Sequence, residues 1–114
     1  MRKEAVLKIS RSLRLSRNRE KHIRKHCFEF GFEQPEQFTK DEMLAIARRV
    51  VEAPTRIFRD TESLEGVLIF LQGSVVVIIS ATQKWIKTLF ALRDIEFVNR
   101  RLERKKWIEI EMEK

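Results

Sequence analysis

The sequence predicts an α+β fold: N-terminal helices packed on a small antiparallel β-sheet, with a further helix near the C-terminus. Three observations carry this expectation. Apolar residues recur at helical spacing up to residue 53, short β-branched or aromatic runs take over after Pro54, and helical spacing returns after Asp94. The 114 residues suffice for one domain with a modest core, and 43% hydrophobic with 36% charged side chains implies a packed interior under a heavily ionised surface. Three glycines and two prolines leave little room for long loops.

Val6, Ile9 and Leu13, at i, i+3 and i+7, read as a short amphipathic helix with basic residues around the rest of its circumference. Ser16 is placed to cap a second basic helix running to about Phe28, with Gly31 as its terminator. Pro35 belongs to a connecting loop. Thr39 followed by Glu42 has the capping-box pattern, and opens a helix whose Met43, Ile46, Ala47 and Val50 form an apolar stripe. That helix stops before Pro54.

Four strand-like runs follow, at 55–59, 67–72, 75–80 and 85–92, and together read as an antiparallel meander. Gln72-Gly73-Ser74 is short enough for a hairpin, and 81–84 for the next turn. Asp94 can cap a last helix carrying Ile95, Val98 and Leu102. In the tail, Ile108, Ile110 and Met112 alternate with Glu109, Glu111 and Glu113, which fits either an edge strand or a continued helix. The expected arrangement segregates the helices to one side of the sheet.

Residues 1–26 hold ten basic and two acidic side chains, a net of +8, and both histidines; since the whole chain carries +7, the other 88 residues total −1. So concentrated a positive field suits a polyanion, because phosphate contacts release counterions and steer association. Nucleic acid is the first reading; an anionic membrane surface, an acidic protein partner, or a merely solvated arm fits the same charge. The longest apolar stretch, 67–81, is broken by Gln72, Gly73 and Ser74 and falls short of the roughly 20 residues a membrane span needs. No signal-peptide core precedes it, so the expected location is the cytoplasm. A lone Cys27 points to a reducing compartment and a packed thiol, and the lack of a Cys-x-x-Cys pair argues against structural zinc. No cofactor is implied, and there is no glycine-rich phosphate loop.

His22 and His26 are four residues apart, so a helix presents both on one face. A metal is opposed by Lys21, Arg24 and Lys25 around them and by the lack of a His-Glu-x-x-His motif. Acid–base work is the alternative, since imidazole is the side chain that exchanges protons near neutrality. RNA offers matching chemistry, because a deprotonated ribose 2′-OH attacks the adjacent phosphate without metal if cations stabilise the developing charge. Equally, the two histidines read as further phosphate-facing or partly packed polar residues. In the 85–92 strand, period two puts Ile86, Thr88 and Phe90 on one face, with Trp85, Lys87 and Leu89 on the other. Thr88 could then bond a phosphate and Phe90 lie beside a base, although both are ordinary strand residues. Ser80 and Thr82 are backup hydroxyls, and Trp85 and Trp107 are expected to pack. Arg100, Arg101, Arg104, Lys105 and Lys106 read first as a solvated helix face, with a role in RNA binding as the alternative.

The run Lys25-His26-Cys27-Phe28-Glu29-Phe30-Gly31 resembles the Lys-His-x-x-Asp-Phe-Gly segment of the colicin D-type tRNA-cleaving domains. The later landmarks are similar in order, with Ala53-Pro54-Thr55 before the sheet and Thr88-Leu89-Phe90 at the family's Ser-Gly-Trp strand motif. The resemblance spans about residues 21–98 and extends more widely to barnase-like ribonucleases and toxins. It implies a metal-independent tRNA endoribonuclease. His26 would be the general base or acid with His22 as second choice; Lys21, Lys25 and Arg24 would stabilise the scissile phosphate, and Thr88 would complete the site. Arg11, Arg14, Arg17 and Arg19 would dock the surrounding backbone. An acidic antitoxin or immunity protein is the partner such an activity implies. The rival reading is a non-enzymatic nucleic-acid-binding protein, and the third a protein-interaction adaptor.

Overall fold

The computed structural model describes residues 1–63, 66–80, 82 and 84–112. Within them run α1 (Lys3–Arg11), α2 (Arg17–Arg24), α3 (Lys40–Glu52), β1 (Arg56–Asp60), β2 (Val67–Gln72), β3 (Val75–Ser80), β4 (Ile86–Ala91), α4 (Glu96–Glu103) and β5 (Trp107–Ile110). Two short 3-10 turns, Cys27–Phe30 and Pro35–Gln37, join α2 to α3. The strands form an antiparallel sheet in the order β4-β3-β2-β1-β5, so the fold is α+β, with N-terminal helices and a C-terminal helix. Among the described residues no helix is long and apolar enough to cross a membrane.

Alternation along the strands sorts the apolar side chains into two layers. Ile57, Leu68, Phe70, Val77, Ile79 and Leu89 meet the buried residues of α1, α2 and α3, namely Val6, Ile9, Ile23, Met43, Ala47, Val50 and Val51. Phe58, Val67, Ile69, Leu71 and Val76 meet Val98 of α4 and Trp107 of β5, with Phe90 and Phe97 packed against them. The helices are therefore not confined to one side: α4 covers the face opposite α1–α3. Strand β2 requires this, because Val67 to Leu71 is apolar at every position, and a central strand of that composition needs cover on both faces.

Local signals set several boundaries. Thr39 caps α3 by accepting from the Glu42 N–H at 3.3 Å. The C-terminal carbonyls of α3 would lack partners in a bare helix, and the Gln72 amide donates to those of Arg49 and Ala53 at 3.2 and 2.9 Å. Buried Ser10 ties α1 to α3 by donating to Glu52 at 2.8 Å. The β2–β3 hairpin turns on Gly73, whose φ of +59° at the first loop position is the feature that glycine supplies.

Other expectations give way to tertiary contacts. Helix α2 ends at Arg24 rather than near Phe28, tightening into the 3-10 turn that Gly31 closes at φ +85°. Pro35 sits at the head of a 3-10 turn rather than in an open loop. Asp94 does accept from the Glu96 N–H at 3.0 Å, but Ile95 points to solvent instead of joining the apolar stripe of α4. The tail is an edge strand: β5 pairs with β1, and Trp107 packs against Phe58 with ring centroids 5.4 Å apart. Glu113, at the end of the alternating tail, lies outside the described residues, as do Ala81 and Gln83 of the turn expected at 81–84.

Strand β4 departs most from simple alternation. Its register with β3 shifts between Ile78 and Ile79, so that Ile79 faces Ile86 while Ile78 faces Thr88, which leaves Lys87 as an extra residue. This bulge reverses the phase. Ile86 and Leu89 both join the layer of α1–α3, while Phe90 joins the opposite layer, so Ile86 does not share a face with Phe90 as the period of two predicts.

On the other edge, Arg56 forms a fork with Glu109 through Nε at 2.9 Å and a terminal nitrogen at 2.7 Å, and its guanidinium lies 4.9 Å from the Phe58 ring centre. These hydrogen bonds hold the Glu109 carboxyl below its ordinary titration range, outweighing a smaller opposing effect of burial. A depressed carboxyl stabilises the fold at neutral pH and loses that contribution as pH falls through its folded-state value. Glu109→Gln is thus expected to lower the unfolding free energy by about 0.5–1 kcal/mol near neutral pH, a modest figure because both side chains are partly solvated. Urea denaturation at neutral and strongly acidic pH checks this, with the difference from the parent protein closing in acid.

Candidate functional site

Ser16 opens α2 by accepting from the Arg19 N–H at 3.2 Å. Ile23 and Cys27 are fully buried and pin the helix and the following turn to the core, which leaves Lys21, His22 and Lys25 exposed. In a 3-10 turn, residues three apart eclipse one another. His26 precedes the Cys27–Phe30 turn and Glu29 lies within it, so their side chains meet: His26 Nδ1 and Glu29 Oε2 share a hydrogen bond. The second oxygen of Glu29 accepts from the Ala91 N–H at 2.9 Å. One carboxylate therefore links the imidazole to the end of β4.

An ionised carboxylate only accepts hydrogen bonds. The bond therefore assigns the hydrogen of neutral His26 to Nδ1 and leaves Nε2 as the accepting nitrogen. Around it, the His22 ring stands edge-on at 5.9 Å and the Phe90 ring is tilted at 6.2 Å. Phe97 of α4 meets Phe90 edge-to-face at 6.3 Å. His26, Glu29, Phe90, Arg93, Asp94, Phe97 and Arg100, together with Ala91 and Leu92, line an open depression of about 380 Å³. It combines an oriented imidazole, two guanidinium groups, two carboxylates and two aromatic rings.

The other sequence-predicted residues lie elsewhere. Arg24 donates to Glu20 at 2.6 Å and to the Phe38 carbonyl at 3.1 Å, so it fastens α2 to the chain before α3. Thr88 is half-buried on β4 opposite Ile78 and does not line the depression. Arg11, Arg17 and Arg19 are exposed at the end of α1 and the start of α2. Arg14 places its guanidinium 5.6 Å from the centre of the Trp85 ring. Trp85, expected to pack, is 37% exposed, whereas Trp107 is buried. The Ser80 and Thr82 hydroxyls are 3.4 Å apart, away from His26. Arg101 of the second basic cluster lies over the Phe97 and Trp107 rings at 5.1 and 5.9 Å, so this helix face is not purely solvated.

Arg93, Phe97 and Arg100 are the site residues that sequence reasoning did not assign. Arg100 was visible only as part of a basic cluster, and nothing in the sequence links it to His26 some seventy positions earlier. Glu29 had a signal in its three-residue spacing from His26. Among the described residues, no group of three or more His, Cys, Asp or Glu side chains is placed to hold a metal ion.

No protein-family model matches this sequence, and no curated protein and no solved structure matches it.

The Glu29 bridge makes a specific prediction. In Glu29→Gln the amide oxygen can accept from only one of Ala91 N–H and His26 Nδ1–H, so the hold on the imidazole weakens while the fold persists. Nitrogen NMR of the ring should then show the neutral form moving from predominantly Nδ1–H towards a mixture of tautomers, with unfolding free energy reduced by no more than about 1–2 kcal/mol.

Proposed function

We propose that the protein is a metal-independent endoribonuclease directed at tRNA. The observation that carries this reading is the His26–Glu29–Ala91 chain of hydrogen bonds beside Arg93 and Arg100 in an aromatic-lined depression. His26 Nε2 removes the proton of a ribose 2′-OH, and that oxygen bonds to the adjacent phosphorus. The bond from phosphorus to the 5′ oxygen breaks, and the leaving oxygen takes a proton from His22 or from His26 in its protonated form. The products are a 2′,3′-cyclic phosphate and a free 5′-OH. Glu29 keeps the ring oriented and favours the imidazolium that forms, while Arg93 and Arg100 offset the charge growing on the phosphate oxygens. Phe90 gives an adjacent base a surface to stack on. Lys21, Lys25 and the exposed arginines of α1 and α2 dock the flanking backbone without reading its sequence. Thr88, outside the depression, has no part in this mechanism.

The choice of tRNA rests on the Lys25-to-Gly31 resemblance. A host cell holding such an activity needs restraint, and an acidic antitoxin matching the basic surface would associate fast. Buried, unpaired Cys27 suits a reducing compartment, here the cytoplasm. The second reading, nucleic-acid binding without cleavage, is favoured by the exposed basic residues of α1 and α2 that stand clear of the depression.

Incubation with total tRNA in EDTA, resolved on a denaturing gel, separates the two. The parent protein is expected to yield discrete fragments, and His26→Ala to cut about 10²–10⁴-fold more slowly with binding nearly unchanged. Intact tRNA at every pH and concentration, with salt-sensitive retardation on a native gel, overturns the nuclease reading. Arg100→Ala is expected to lower kcat about 10–100-fold with a smaller change in KM, measured on the same substrate.

A further inference from the structure

A second polar cleft, of about 550 Å³, opens at the other end of β4 and is lined by Ser12, Arg14, Thr82, Lys84 and Trp85. The backbone around it is held on both sides. Arg14 forms a parallel bridge with Trp85, its N–H donating to the Lys84 carbonyl and its carbonyl accepting from the Ile86 N–H, both at 2.8 Å. From the β3 side, the Ser80 N–H donates to the Trp85 carbonyl at 2.9 Å, and the Lys84 N–H to the Ser80 carbonyl at 2.8 Å. The indole thus projects from a fixed backbone, has the Arg14 guanidinium 5.6 Å from its centre, and still leaves 37% of the residue open to solvent. Lys84 is held at φ +62°, a conformation that costs an ordinary side chain energy and that concentrates where a loop serves a ligand.

We propose that this cleft is a binding subsite for an unpaired nucleotide of an RNA single strand, with the base stacked on Trp85 and the adjoining phosphate held by Arg14. The inference rests on the reading of the protein as RNA-directed and deepens it by naming the form of the substrate. The lining decides the ligand class. A flat aromatic ring beside cations and hydroxyls complements a group that carries both a π-face and a phosphate. An acidic peptide offers the charge without the ring, and a lipid surface calls for apolar side chains that the cleft lacks. An unpaired base is needed, because bases within a duplex have both faces covered. Trp85 lies just before β4 and five positions from Phe90, at most about 16 Å at strand spacing and less across the Lys87 bulge, so the subsite holds a nucleotide away from the scissile phosphate. Cleavage is thereby directed to loops and ends rather than to stems.

Fluorescence anisotropy with a short labelled oligouridylate, and with a labelled RNA duplex of equal length, tests the proposal on the full-length protein. Trp85→Ala is expected to weaken single-strand binding about 5- to 150-fold and Trp85→Phe much less, with duplex affinity within about twofold of the parent. Arg14→Ala is expected to lower the salt dependence, log K against log salt concentration, by about 0.7. Matching thermal unfolding midpoints show that the variants are folded, and Trp85→Phe serves if Trp85→Ala is not. Single-strand affinity within twofold of the parent in folded Trp85→Ala overturns the subsite, and so does oligoglutamate bound as tightly with the same dependence on Trp85. The two failures are separable. If His26→Ala abolishes cleavage while Trp85→Ala binds normally, the nuclease reading stands and the subsite falls; if nothing is cleaved yet Trp85→Ala weakens binding, the reverse holds.

Discussion

Both faces of the sheet must be kept from water, and the rest of the molecule is arranged around that constraint. Central strand β2 is apolar at five successive positions, so neither of its faces tolerates solvent. Helices α1–α3 cover one face through Val6, Ile9, Ile23, Met43, Ala47 and Val50, while α4 covers the other through Val98. The chain has already laid α2 beside β4 before it reaches α4. To deliver α4 to the opposite face it leaves β4 through Arg93 and Asp94, which brings this connection and the end of α2 to the same corner. The depression around His26 forms there, between elements whose positions are set by burial.

An edge strand offers unpaired N–H groups to any passing chain. Here the N-terminal segment covers β4 at two points: the Arg14 carbonyl accepts from the Ile86 N–H, and Glu29 accepts from the Ala91 N–H. Each contact also sets up a site. The first fixes Arg14 against Trp85, and the second leaves Glu29 one oxygen with which to hold His26. The Lys87 bulge lies between them and twists the strand, a further protection of an edge.

The basic segment is part of the folded body. Val6, Ile9, Leu13, Leu15 and Ile23 are buried in the layer under the sheet, so the charged residues between them have no direction left but outward. This answers whether residues 1–26 form a solvated arm: they do not, since these side chains pack them into the domain core. The depression receives its guanidinium groups from a different stretch, Arg93 and Arg100, in the part of the chain that carries almost no net charge. The basic segment of the sequence and the guanidinium groups of the depression are thus distinct in this protein, and in the depression Glu29 and Asp94 balance Arg93 and Arg100 in charge.

Spacing and capping are properties of neighbouring residues, and what depends on them was legible in the sequence. The α+β class, the Ser16 and Thr39 caps, the hairpin at Gly73 and the closeness of His22 and His26 are of this kind. Each is decided within one or two turns of chain. Tertiary structure alone decided which face α4 covers, that the tail pairs with β1, that Lys87 bulges and reverses the phase of β4, and that Arg24 is tied to Glu20 and Phe38. An amphipathic pattern says that an element has an apolar face, but not which neighbour receives it. A strand's register likewise depends on a partner that for β1 and β5 lies about fifty residues away. Arg100 shares a depression with His26 for the same reason: the burial of two sheet faces, not any local preference, brought them to one place.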